Sequence, residues 1–275
     1  MPALRTASHT WSRRLAHSQS SHRRLAWYLG TLVGFAMISA CNRAGADTTL
    51  SDATLKLEFS PTDGHLVGLT NGAGRKLAGV VTDSVGLWSL DLAPADSARA
   101  VNKSTDYMAG STSAGAAQEV YASQAKQFSM RHVDARTLEL VWDKFDGAAA
   151  PNLMVTATVQ LRTDSSASWH IKIDGLKDVA VDHVHYPRIS GISFTGPGLE
   201  LATPVWMGQR ARDPQRILQR ADSAKKPLEY VYPGALSMQA LALSSAKEGG
   251  LYFAADDTLA YRKSFAFWRE ADGTA

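Results

Sequence analysis

Apolar residues divide the chain into two regimes. From Leu25 to Ile38 they run almost unbroken behind the charged pair Arg23-Arg24. A membrane-spanning helix needs about 20 such residues, so this run is short for a span. From Ala53 onward the apolar positions instead recur every second residue in brief stretches, the period of a half-buried strand. Leu55, Leu57 and Phe59 share one face of Thr54 to Phe59, and His65 to Thr70 follows as a second strand. Further strands are predicted at Val85 to Leu92, Gln127 to Val133, Thr137 to Trp142, Leu153 to Arg162 and Trp169 to Ile173. Val181 to Phe194 holds one or two more, broken at Pro187, and Ser237 to Leu243, Gly250 to Ala255 and Tyr261 to Trp268 complete the series. Turn chemistry separates them: Pro61-Thr62-Asp63-Gly64, Asn71-Gly72, and a 244–249 link ending in Gly-Gly.

Two stretches break the alternation. Residues 93–116 read as loop, with a short strand near Tyr107. Residues 208–230 are charged and carry two prolines; they read as a long surface loop with a helical turn at Gln215 to Ala221, placed to rim a binding surface. Many short strands with almost no helix predict an all-β fold, a large antiparallel β-sandwich following an N-terminal signal helix.

Charge sharpens the division. The chain has 29 Lys+Arg and 26 Asp+Glu. Residues 1–40 hold five of the arginines and no acid, which leaves 24 against 26, or −2, for residues 41–275. The excess of positive charge belongs to the leader, so no nucleic-acid partner is expected.

Ile38-Ser39-Ala40-Cys41 resembles a bacterial lipobox, in which the cysteine thiol takes a diacylglycerol and becomes the new N-terminus. The alternative is a buried apolar helix with a chance cysteine. The resemblance implies a signal peptide over 1–40 with a long basic n-region and lipid attachment at Cys41; the small polar residues that follow read as a tether over 41–52, and the strand pattern as a β domain over 53–275. A start codon downstream of Met1 would account for the length of the n-region. It implies a lipid-anchored protein of the cell envelope, with the membrane as partner, and Asn42 in place of an inner-membrane aspartate points to the outer membrane. Cys41 is the only cysteine, so once lipidated it leaves no thiol for a disulfide, a CxxC metal site or a nucleophile.

Three segments carry a second resemblance: His185-Tyr186-Pro187-Arg188-Ile189; Tyr232-Pro233-Gly234 with Ser237-Met238-Gln239; and Gly249 to Asp257 followed by Lys263-Ser264-Phe265. Together they resemble the N-terminal β-supersandwich of large bacterial glycoside hydrolase-like proteins, a domain similar to the galactose mutarotase fold that precedes a (β/α)8 catalytic barrel. The resemblance implies an accessory domain that binds carbohydrate or buttresses a barrel. Because the chain stops at Asp272-Gly273-Thr274-Ala275, where a linker and barrel would begin, it also implies a truncated or split product whose catalytic carboxylates lie in that barrel or in a partner chain.

The residues themselves offer two kinds of chemistry. His183 and His185, with Asp182 beside them, point to one face of a strand. They are the weak candidates for acid–base catalysis of the kind an aldose epimerase of the mutarotase class needs. A sheet-surface histidine pair is the plainer reading, and with no third ligand indicated no metal is expected. The adjacent carboxylates Asp256 and Asp257 cannot face one substrate together as glycoside hydrolysis requires, and read as a polar turn. Trp88, Trp142, Trp169, Trp206 and Tyr232 are aromatics on which a pyranose could stack, or core residues. Trp206, Tyr232 and Trp88 are the carbohydrate-binding candidates, the first two because they flank the polar stretch. No phosphate loop, GxSxG elbow or HExxH helix occurs, so no cofactor is expected. Three functions stay open: a carbohydrate-binding or buttressing module, an epimerase, and a non-enzymatic envelope lipoprotein holding a protein partner.

Overall fold

The computed structural model describes residues 48–79, 86–94, 118–146, 150–247, 249–259, 261–270 and 273–275. The predicted signal helix, Cys41, Asn42 and the strand near Tyr107 lie outside them. The chain divides into two units, Met1–Asn42 and Arg43–Ala275, and the second holds every described residue. Among the described residues no helix is long and apolar enough to cross a membrane.

The described residues form β1 (Thr49–Ser51), β2 (Leu55–Phe59), β3 (Leu66–Asn71), β4 (Lys76–Ala78), β5 (Ser89–Pro94) and β6 (Gln118–Tyr121). After a 3-10 turn at Ala122–Gln124 come β7 (Ala125–Asp134), β8 (Thr137–Phe145), β9 (Met154–Leu161), β10 (Ala167–Asp174) and β11 (Val179–His185). The last third holds β12 (Leu199–Thr203), β13 (Gln209–Ala211), helix α1 (Pro214–Ser223), β14 (Leu228–Tyr232), β15 (Ala240–Ser245), β16 (Gly249–Ala254) and β17 (Lys263–Phe267). The fold is all-β, in five small antiparallel sheets with orders β1-β2-β3-β4, β10-β9-β8-β7, β11-β5-β6, β13-β12-β15-β16 and β14-β17.

Period-two alternation decides which side chains meet. In β8 Leu138, Leu140 and Trp142 face inward and pair across the ladder with Val159, Ala157 and Val155 of β9. These residues join Leu57 and Phe59 of β2, Leu90 and Leu92 of β5, Leu201, Leu241 and Leu243 of β12 and β15, and Phe267 of β17 in one continuous buried cluster. At the centre Trp142 stands edge-on to Trp88 at 5.8 Å and tilted to Phe128 at 5.3 Å, and its indole Nε1 donates to the carbonyl of Asp63 at 2.8 Å.

Several expectations need correction. The predicted tether over 41–52 ends in structure: Thr49–Ser51 pairs with β2 as β1, and Leu50 is fully buried. Asp52 caps the following turn, accepting from Thr54 N, Thr54 Oγ1 and Leu55 N. It also accepts from Arg136 Nη2 at 2.9 Å, while Arg136 Nε donates to the carbonyl of Leu161, tying the first sheet to the second. The predicted loop over 208–230 instead contains β13, the whole of α1 and the start of β14. Pro214 does not break that helix; it sits in the first turn, where it gives up no hydrogen bond, and Asp213 caps it by accepting from Arg216 N at 3.1 Å. Leu218 then buries the inner face. The second strand predicted beyond Pro187 does not form; that stretch is pinned by isolated hydrogen bonds, Arg188 N to Leu87 O, Gly79 N to Ser190 O and a reciprocal pair between Ile192 and Ala275. Strands β4 and β6 were not predicted, being short, and β12 was not predicted although Leu199, Leu201 and Thr203 alternate with Glu200 and Ala202. Register shifts at Glu58/Phe59, Leu69/Thr70, His132/Asp134 and Val181/His183 interrupt the ladders. Bulges of this kind bend and twist a strand, and the strands gather into five sheets rather than a few wide ones.

Candidate functional site

The sheet β13-β12-β15-β16 turns its inner face, Leu201, Leu241 and Leu243, to the core. Its outer face is nearly bare. The register aligns Arg210, Ala202, Ala242 and Tyr252 in one row across the four strands, with Ala240 opposite Ala254 in a neighbouring row. Three small side chains, Ala202, Ala240 and Ala242, thus make a flat floor. Strands lie about 4.8 Å apart, so Arg210 and Tyr252 stand about 14 Å from each other at its margins. The loops on either side of the bridge Val205–Leu236 close one end. Trp206 N donates to Ala235 O at 3.3 Å, and both Ser237 N and Ser237 Oγ donate to Pro204 O at 2.8 Å. Trp206, Met207, Met238 and Tyr252 rise from these margins and enclose an open trough of about 550 Å³.

These side chains are conspicuous for what they leave in solvent. Trp206 is 82% exposed, Met207 fully, Met238 61% and Tyr252 71%. An apolar patch of that kind on one face marks a contact surface. Trp206 also holds φ +56°, the left-handed region that costs a non-glycine residue about 1–2 kcal/mol. Backbone strain of this kind clusters at ligand clamps. Among the described residues Arg210 is the only charged one lining the trough. Its Nε meets Glu200 Oε2 at 2.9 Å, and Arg212 Nε lies 3.9 Å from the same carboxylate.

Beside the trough two of the three segments that carried the supersandwich resemblance, those holding Tyr232 with Gln239 and Asp257 with Lys263, meet in one polar node. Asp257 accepts from Leu259 N, Tyr261 N and Lys263 Nζ, the last at 2.6 Å. Lys263 Nζ donates also to Tyr261 O and lies 5.4 Å from the ring centroid of Tyr232, while Gln239 Nε2 donates to Asp257 O at 2.8 Å. The lysine first, then the backbone donors, hold the Asp257 carboxyl below the usual carboxylate range. The node closes a turn, as the plainer reading of Asp256-Asp257 had it, and anchors the loop that presents Ser237 and Met238.

His183 and His185 lie on the outer face of β11-β5-β6. Their rings are near-parallel with centroids 6.2 Å apart. Asp91 Oδ2 lies 3.6 Å from His183 Nδ1 and 3.3 Å from His185 Nε2, and Asp182 Oδ2 is 3.1 Å from His183 Nδ1. The register shift between Val181 and His183 brings the first histidine opposite Asp91. Among the described residues no three His, Cys, Asp or Glu side chains are arranged to hold a metal ion.

The predicted residues therefore separate. Trp206 stands at the trough. Tyr232 does not line it; half-buried, it backs Lys263 in the node. Trp88 is a correction: it is fully buried between Trp142 and Phe145, so no ligand reaches it. Trp142 is equally buried, and Trp169 packs on Phe59 and Tyr186. His183, His185 and Asp182 come together, joined by Asp91 from a strand almost a hundred residues away. Tyr252, Met238 and Arg210 were missed. Alternation in Gly249–Ala254 would have found Tyr252, since Leu251 and Phe253 pack inward against the core and the residue between them must point out. No family model matches this chain, and no curated protein matches it either.

Proposed function

We propose that this chain is a lipid-anchored accessory module that holds carbohydrate on the outer face of β13-β12-β15-β16, within a glycoside hydrolase-like protein whose catalytic barrel is supplied outside residues 53–275. On this reading the five sheets are the parts of a β-supersandwich of the galactose mutarotase type, and lipidated Cys41 tethers it to the bacterial outer membrane. One observation carries the site: a tryptophan more than four-fifths exposed, in left-handed backbone, at the mouth of a flat-floored trough. Pyranose C–H faces pack on such rings, and only a few polar groups are needed to orient them. A glycan-array screen of the full chain tests this. Retention of one or more polysaccharides, lost in Trp206→Ala, is expected. Silence across the array would leave the exposed Trp206, Met207, Met238 and Tyr252 as the seat of a barrel or another envelope protein.

A second reading is favoured by the Asp91 bridge between His183 and His185. An imidazole pair sharing a carboxylate could open and close an aldose ring, one ring accepting the anomeric hydroxyl proton while the other donates to the ring oxygen. Polarimetry of anomer interconversion decides it: equal rates for wild type, His185→Ala and buffer would remove the epimerase.

A further inference from the structure

We infer that the trough takes an anionic glycan, one with carboxylate or sulfate groups on its pyranose rings, in preference to a neutral one. This rests on the carbohydrate reading of the same site and narrows its ligand class. Among the described residues the lining has one charged residue, and it is a cation, Arg210. The nearest acid, Glu200, is shared by two guanidiniums, Arg210 at 2.9 Å and Arg212 at 3.9 Å, so this corner carries one positive charge that its own partner does not balance. Arg212 is four-fifths exposed in its side chain. Two guanidiniums bring ten N–H donors to this corner, more than the one carboxylate of Glu200 that they share can accept. The donors left over fit a carboxylate or a sulfate, which accept paired N–H bonds. The charge is local: 207–230 has six basic and three acidic residues, whereas 41–275 as a whole is −2. Arg210 and Tyr252 lie in one register row with the alanine floor between them. A sugar ring lying on Ala202 and Ala242, with its neighbour stacked on Trp206, would place its acidic substituent toward Arg210.

The test is isothermal titration of the full chain with polygalacturonate, with the same polymer after carboxyl reduction to the neutral galactan, and with a sulfated galactan. Polygalacturonate or the sulfated galactan should bind at least tenfold more tightly than the neutral polymer. The preference should fall about tenfold in Arg210→Gln and weaken as salt rises from 50 to 200 mM, as screened charge requires. Which of the two anionic polymers binds better separates carboxylate from sulfate. Equal binding of the neutral and anionic polymers would overturn the inference while leaving the carbohydrate site standing. Binding of none of the three, with Trp206→Ala still abolishing retention of a neutral glycan on the array, would do the same. Failure of every glycan would overturn both readings. Anionic binding unchanged in both Arg210→Gln and Trp206→Ala would overturn the assignment to this trough. Far-UV circular dichroism and a thermal melt of each variant show that it is folded.

Discussion

Replacing Trp206 by alanine separates a binding role from a packing role, and the structure sets both magnitudes. A tryptophan side chain presents about 150–250 Å². With 82% of Trp206 in solvent, the part already buried is about 30–45 Å². At about 25 cal/mol per Å² this contributes about 1 kcal/mol to stability at most, or about 2–4 °C in Tm for a body of this size. A pyranose stacked on one face would cover about half the exposed area, roughly 60–100 Å², worth about 1.5–2.5 kcal/mol. The expected loss of affinity is thus about 10- to 70-fold. Trp88→Ala is the control. That residue is fully buried among Trp142 and Phe145, and its truncation should cost about 3–5 kcal/mol, the usual range for a large aromatic in a core. The assays are thermal and urea unfolding for stability and calorimetric titration of whichever glycan the array retains. If Trp206→Ala lost as much stability as Trp88→Ala, the indole would be covered in solution and the trough would not be open. If it lost little stability and no affinity, the trough would be open but would not be the sugar site.

Further outcomes follow from the same geometry. Trp206→Gly should be more stable than Trp206→Ala by about 1 kcal/mol in urea titration, although glycine is ordinarily the worse residue, because φ is +56°; the reverse order would mean the left-handed backbone is not held in solution. Gly64→Ala should cost more than about 2 kcal/mol, since φ is +74° and a methyl group there would stand 2.6 Å from Phe128, half-buried against the core, and 2.8 Å from the fully buried Trp142; a Tm within 2 °C of wild type would count against it. Lys263→Met should lower Tm by removing the cation that holds Asp257, whereas Lys263→Arg should recover part of the loss. Acid should destabilise the body through its aspartates. Hydrogen bonds from the Thr54 side chain, then its backbone, hold Asp52 down to about 2, against an ordinary 3.8. Burial opposes ionisation of Asp63, but donors from Ser60 and His65 outweigh it and the net shift is also downward. A depressed carboxyl contributes in full above its unfolded value and loses that contribution as pH falls through its folded one. The urea midpoint should therefore drop between about pH 4 and pH 2, and Asp52→Asn should flatten part of that drop.

Alternation was the dependable guide to the fold because it reports burial directly. Leu138, Leu140 and Trp142 face one way in the sequence and one way in the structure, and strands built like that were legible in advance, the five-residue β12 excepted. Short elements were not: β1, β4 and β13 are three residues each, too few for a period to declare itself, and they exist because a neighbouring strand supplies their hydrogen bonds. The helix was half-legible. Its first turn hid behind Pro214, a residue that ends helices in their interior and starts them at their first position. Trp88 and Trp206 were both candidate sugar platforms, Trp206 favoured for the polar stretch it flanks. What separates them is depth, and depth is a property of the whole packing rather than of the residues alongside.

Two of the segments that carried the supersandwich resemblance serve as scaffold. Lys263 Nζ donates to the Asp257 carboxylate and lies over the ring of Tyr232, and Gln239 Nε2 donates to Asp257 O. Their effect on any ligand is indirect. Ala255 N donates to Gln239 O, Leu236 N to Val231 O and Ser237 N to Pro204 O, so the loop before β15 is fastened at both ends and to the Pro204–Gly208 turn. Trp206 N is tied to that loop through Ala235 O. A tryptophan backbone left free would relax out of the left-handed region, at a gain of about 1–2 kcal/mol. The fastening opposes that relaxation. Stability is thus given up at one residue and supplied by the node behind it. Packing of the indole contributes little to that arrangement, because the ring buries almost nothing; the proposed sugar platform would give the exposed ring a use.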